Sequence, residues 1–204
     1  MTPGRRRLPD GAPQELNMKT RDLAYVALFA AIIAVLGTLP AIQIGPVPIT
    51  AQTLGVMLAG SVLGARRGFL AVLLFLVLVA IGLPLLASGS GGLAVFAGPT
   101  AGYLFSWPIA AFVIGWLTER FWARYNVAWG VLFNIVGGMV VVYLIGVPVL
   151  AAVANLSLGE AIVSGALPFL PGDAVKAFIA AAIAAQVRRS YPVIDRPQRA
   201  LADR

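Results

Sequence analysis

Six stretches of this chain are too apolar to remain in water, and they decide most of what it can fold into. They run from Asp22 to about Pro40, Thr50 to Gly64, Gly68 to Leu86, Ala101 to Leu117, Val127 to Val149 and Pro171 to Val187. A helix needs about 20 apolar residues to cross the hydrocarbon core. In lipid every backbone N–H and C=O must be satisfied internally, which leaves helices or closed barrels. Long unbroken apolar runs rather than period-two alternation select helices. The expected fold is therefore an all-α integral membrane protein, six transmembrane helices in a compact bundle. The second stretch is short for a full crossing and is expected to be partly sheltered by protein.

The charges say how those spans are threaded. The chain holds 15 Lys and Arg against 8 Asp and Glu. Every basic residue except Lys176 falls before the first span, between spans two and three (Arg66, Arg67), between four and five (Arg120, Arg124) or beyond the sixth (Arg188, Arg189, Arg196, Arg199, Arg204). The segments after spans one, three and five have none. That alternation is the positive-inside pattern of a chain with both termini in the cytoplasm. It divides the chain into a disordered cytoplasmic lead-in (residues 1–21), a membrane domain (22–188) and a cytoplasmic tail (189–204). Basic residues set beside spans are topology determinants, so no nucleic-acid partner is expected. The run after the basic start is too long, and lacks the small-x-small site, for a cleaved signal peptide. Met18 is a second candidate start.

Several chemistries are excluded by what is missing. There is no Cys and no His, hence no disulfide, no thiolate nucleophile, no metal site of the usual ligands and no Ser–His dyad. An intramembrane aspartyl dyad needs two Asp at depth, and Asp173 has no such partner. A nucleotide-binding P-loop needs a Lys after Gly; the two lysines, Lys19 and Lys176, follow other residues. No catalytic residue, metal or cofactor is expected, and the chain reads as a non-enzyme.

Against this background one pair stands out. Asp173 and Lys176 open the last span, just after Pro171, which suits a first helical turn because no backbone N–H is needed there. A spacing of three puts both on one helix face. A charge at membrane depth costs roughly 2.5–3.5 kcal/mol and usually faces protein or a cavity. Gln52 and Thr53, and the uncharged glycine-rich segment Ala87–Thr100, belong to the same side of the membrane, opposite the basic loops. The residues point to a mostly apolar small-ligand pocket on the outer side, oriented by a few polar groups. A membrane scaffold or proton-coupled carrier with a structural Asp–Lys pair fits the same residues. Ala27-x-x-x-Ala31, Ala30-x-x-x-Ala34 and Gly60-x-x-x-Gly64 are small-residue motifs of close helix packing.

In order along the chain stand Gly45-Pro-Val-Pro-Ile-Thr50-Ala-Gln52-Thr53, Leu58-Ala-Gly60, Leu63-Gly64, Gly82-Leu83-Pro84, Gly98-Pro99-Thr100-Ala101-Gly102-Tyr103 and Pro171-Gly172-Asp173 with Lys176. Together they resemble the BioY family, the biotin-specific S components of energy-coupling-factor (ECF) transporters, over about residues 20–190. Leu85-Leu86 and Ala101 depart from the usual pattern. The resemblance implies a multi-pass protein of the bacterial inner membrane that captures biotin from outside, with biotin the ligand rather than a cofactor. It implies a transmembrane coupling protein and cytoplasmic ATPases as partners, though some members work without them, and leaves homo-oligomers open. Under it, Asp173 accepts from a ureido N–H, and Lys176 donates to the ureido oxygen or the carboxylate. Gln52, Thr53 and Asn134 complete the ring contacts, and Tyr103, Leu83 and Phe96 pack on the bicycle and tail. The alanines Ala27, Ala31, Ala30 and Ala34 become the docking face for the coupling protein.

Overall fold

The chain folds as a bundle of helices around one almost wholly buried helix, α2. The computed structural model describes residues 20–191 with Val193 and Ile194. The lead-in up to Lys19, with Arg5, Arg6 and Arg7, and the tail bearing Arg196, Arg199 and Arg204 lie outside the described residues. In order come α1 (Thr20–Gly37), the hairpin β1 (Ile42–Ile44) and β2 (Val47–Ile49), α2 (Gln52–Leu63), α3 (Ala65–Ala80) and α4 (Ala101–Arg120). A long rod follows, made of α5 (Val127–Ile135), a wide π-helical segment (Val136–Val141) and α6 (Val142–Ala154). The short α7 (Leu158–Gly165) and α8 (Leu170–Ser190) complete the chain. Among the described residues, four helical stretches are long and apolar enough to cross a membrane: Thr20–Gly37, Ala101–Arg120, Val127–Ala154 and Leu158–Ser190. Helices α2 and α3 are shorter, at 12 and 16 residues.

Local chemistry sets most of the boundaries. Gly64, at φ 85°, breaks α2 from α3, a left-handed backbone that glycine adopts without steric cost. Asn155 takes the left-handed cap that ends α6. Ser157 and Glu160 form a reciprocal capping box at the start of α7. Hydrogen bonds from the Ser157 hydroxyl and backbone N–H hold the Glu160 carboxyl below its ordinary pKa. Pro171 sits in the first turn of α8, as expected. Several span ends differ from expectation. Helix α3 stops at Ala80 rather than Leu86, because Gly82 turns the chain at φ 106° and Pro84 follows. The rod runs on to Ala154, and α4 to Arg120.

Ten of the twelve residues of α2 are buried, which explains how a helix too short for the bilayer is tolerated: protein, not lipid, surrounds it. Helices α1, α3, α4 and α8 pack around it. The inner face of α8 is alanine (Ala177, Ala180, Ala181, Ala184 and Ala185), which lets its neighbours approach closely. The Gly60-x-x-x-Gly64 motif serves this internal packing: a Cβ at Gly60 would lie 2.6 Å from the Ala111 carbonyl oxygen of α4. The α1 alanines divide. Ala30 is buried and Ala34 half-buried against the bundle, whereas Ala27 and Ala31 are exposed.

The two ends of the bundle have opposite character. At one, Arg67 pairs with Asp22 at 3.2 Å, and Glu119 accepts from the Ala65 N–H at 2.8 Å. There Arg188 stacks 4.5 Å from the Trp122 ring centre and donates to the Tyr125 carbonyl. The other end carries the hairpin, the uncharged turns Ala87–Gly89 and Leu93–Phe96, and α7.

Candidate functional site

The end opposite the arginines holds a cavity of about 280 Å³. Its polar floor is built by two helix starts. Thr53 lies in the first turn of α2, and Asp173 in the first turn of α8, where the helix dipole favours a carboxylate. Lys176, one turn along α8, donates to Asp173 Oδ1 at 2.8 Å and to Thr53 Oγ1 at 2.9 Å. The other carboxylate oxygen, Oδ2, accepts from the Tyr143 hydroxyl of α6. Side-chain exposures of 5% for Asp173 and 14% for Lys176 leave the pair largely desolvated. Trp107, Leu104, Val142, Phe169 and Leu86 supply apolar walls; the hairpin contributes Gln43, Val47 and Pro48. Thr50, Ser90 and Thr100 add hydroxyls. A mostly apolar chamber with one ion pair and a few hydroxyls is built to orient a small polar ring.

Of the eight residues expected from the sequence, Asp173, Lys176, Gln52, Thr53 and Tyr103 line this cavity. Gln52 lines it as a structural brace. Its amide nitrogen donates to the carbonyls of Leu85 (3.1 Å) and Ile33 (3.5 Å), and its oxygen accepts from the Ala87 N–H (3.2 Å). It ties the 83–90 segment to α1 and α2 as a wall. Gln52→Leu leaves the Ala87 N–H and the Leu85 carbonyl without this partner, at about 1–3 kcal/mol for each group left buried and unpaired. The expected result is a lower melting temperature of the detergent-solubilised protein and faster proteolysis within residues 83–90. Tyr103 is similarly committed: its ring seats against Gly146 and its hydroxyl donates to the Gly165 carbonyl at 2.8 Å.

Asn134, Leu83 and Phe96 do not reach the cavity. Asn134 is fully buried between α2, α5 and α8, accepting from Ser61 Oγ at 2.9 Å and donating to the Ala177 carbonyl at 3.1 Å. Leu83 is 39% exposed on the turn after α3. Phe96 is half-buried elsewhere, its ring 5.6 Å from that of Phe105. Sequence reasoning missed Tyr143, whose one signal is a lone phenol in an apolar span. It also missed Trp107 and Phe169, which nothing in the sequence sets apart from packing aromatics.

This arrangement defines a class: a multi-span helical membrane protein with a small-ligand cavity at the end away from its arginines. The chain belongs to the BioY family, whose model matches residues 12–193; it is a family of transporters, not enzymes. It is 53% identical over 184 residues to the biotin transporter BioY of Rhizobium etli, covering 87% of this chain and 98% of that protein. It is 45% identical to the biotin transporter BioY of Rhodobacter capsulatus, with 84% and 95% covered. Its fold superposes with a TM-score of 0.81, at 34% identity, on the crystal structure of the S-component for biotin from an ECF-type ABC transporter. That match covers 87% of this chain and 97% of the other.

Proposed function

We propose that this chain takes up biotin as the substrate-binding S component of an ECF-type transporter. The observation that carries the reading is the Asp173–Lys176 pair, largely desolvated on the floor of the cavity. Biotin's ureido ring offers two N–H donors and a strongly accepting carbonyl, which a carboxylate and an ammonium side by side can both meet. Thr53 and Tyr143 hold the two charges in place, and Trp107 and Phe169 pack on the ring system. Saturable binding of labelled biotin to the purified protein alone, competed by biotin and not by thiamine or riboflavin, is the expected result. Well-folded protein that binds no biotin refutes it.

In this reading α1, α2, α3, α4, the α5–α6 rod and α8 all traverse the bacterial inner membrane, with both termini in the cytoplasm. The support is the arginines gathered at one end and the cavity at the other. Energy comes from a partner, a transmembrane coupling protein with its ATPases, and the exposed Ala27–Ala31 face of α1 is where it docks. Ala30, buried in the bundle, is not part of that face. Tryptophan at both Ala27 and Ala31 is expected to leave biotin binding unchanged while abolishing co-purification with the coupling protein. Retained co-purification would move the docking face elsewhere.

A further inference from the structure

We infer that the wide turn Val136–Val141 sets the register of the α5–α6 rod so that Tyr143 is held against Asp173, making Tyr143 a positioning residue for ligand recognition. The inference rests on the biotin-binding reading above. Along the rod every fourth residue is buried: Gly130, Asn134, Gly138, Val142, Gly146 and Leu150. A uniform α-helix turns about 100° per residue, so each four-residue step drifts about 40° and the row would wind about 200° off the bundle. The wide turn takes up one extra residue and removes about 100° of that rotation.

The consequence falls on two polar side chains. Asn134 and Tyr143 are nine positions apart, on opposite faces of a plain α-helix, at about 180°. With one residue absorbed they come within about 80° and both face inward. Each then meets α8, one turn apart: Asn134 donates to the Ala177 carbonyl and Tyr143 to Asp173 Oδ2. The wide turn is wedged in place. A Cβ at Gly137 would lie 2.8 Å from the Ala110 carbonyl oxygen, and one at Gly138 2.5 Å from Met57 Cε. With Lys176 and Thr53 on Oδ1 and Tyr143 on Oδ2, the carboxylate is fixed in rotation. It keeps acceptor capacity for a ligand N–H, because each oxygen takes more than one bond.

The test compares biotin with an analogue methylated on its ureido nitrogens, using purified protein. Tyr143→Phe is expected to lower biotin affinity about tenfold, the loss of one charge-assisted hydrogen bond. The biotin-to-analogue affinity ratio should fall by a similar factor, in ligand-free protein that still purifies as a folded, monodisperse species. Equal weakening of both ligands, or none, overturns the positioning role. Deleting Val140, the exposed residue of the wide turn, leaves Asn134 and Tyr143 eight positions apart, which a plain α-helix sets at the same angle of about 80°. The deletion should therefore retain biotin binding in protein that purifies as a folded species. Lost binding in a folded deletion protein overturns the registering role; if the deletion does not fold, the Tyr143→Phe ratio decides. Parent protein that fails to bind biotin refutes the substrate assignment itself, an outcome separate from a parent that binds and a Tyr143→Phe variant that binds equally well.

Discussion

Lys176→Met is expected to lower biotin affinity by at least about 100-fold, or roughly 2.7 kcal/mol. The ammonium is bound to Asp173 and to Thr53 within a largely desolvated floor, so its removal takes a ligand donor and releases both partners at once. Breaking a buried pair by deleting one member also costs stability, about 3–5 kcal/mol, because the remaining charge is left uncompensated. The two effects separate in the double variant Asp173→Asn with Lys176→Met. Neutral side chains of similar size restore the melting temperature, while binding stays lost. Labelled-biotin binding and thermal unfolding of the same detergent preparations read both quantities. Parental affinity in Lys176→Met would remove the pair from recognition and return it to a purely structural role.

The second large effect is at Gly115, far from the ligand. A Cβ there would lie 2.3 Å from both the Ala65 nitrogen and the Gly64 carbonyl carbon, and 2.6 Å from the Ala65 Cα. All three are backbone atoms at the corner between α2 and α3, which Glu119 further pins. Nothing there can move aside as a flexible side chain would, so the overpacking cost lies at or above the usual range of about 1–3 kcal/mol. Gly115→Ala is therefore expected to yield little monodisperse protein. Gly172→Ala is the matched control: it is also helical, and nothing lies within 4 Å of its Cβ. There alanine should be neutral or stabilising by up to about 1 kcal/mol. Similar yields and melting temperatures for the two variants would contradict the packing account.

The apolar runs and the arginine placement were readable because the bilayer imposes length and polarity directly on sequence. The Asp173–Lys176 contact was readable because a spacing of three on a helix is a local matter. Asn134 was not. Its amide is satisfied by Ser61 and the Ala177 carbonyl, and which helix a buried amide faces depends on packing that a single sequence does not carry. Tyr143 was hidden for a related reason: helical periodicity sets it opposite Asn134, and only the wide turn brings it inward. Gln52 was found as a polar residue near the pocket, but its part as a brace depends on the path of residues 83–90, where Gly82 and Pro84 had already ended α3. The four alanines of α1 look equivalent in sequence; the wrapping of α2 and α3 around α1 buries Ala30 and leaves Ala27 and Ala31 outside.

The shortness of α2 has an electrical consequence. Twelve residues span about 18 Å along a helix axis, and they separate the Thr53 level, where Asp173 and Lys176 sit, from the corner beside Arg66 and Arg67. The surrounding hydrocarbon is about 30 Å thick. In the proposed orientation, water in the cavity carries the outer solution to within about 18 Å of the cytoplasmic edge. The membrane potential then falls across roughly three-fifths of the usual insulating distance, so the field beneath the ligand is steeper than anywhere in the lipid around it.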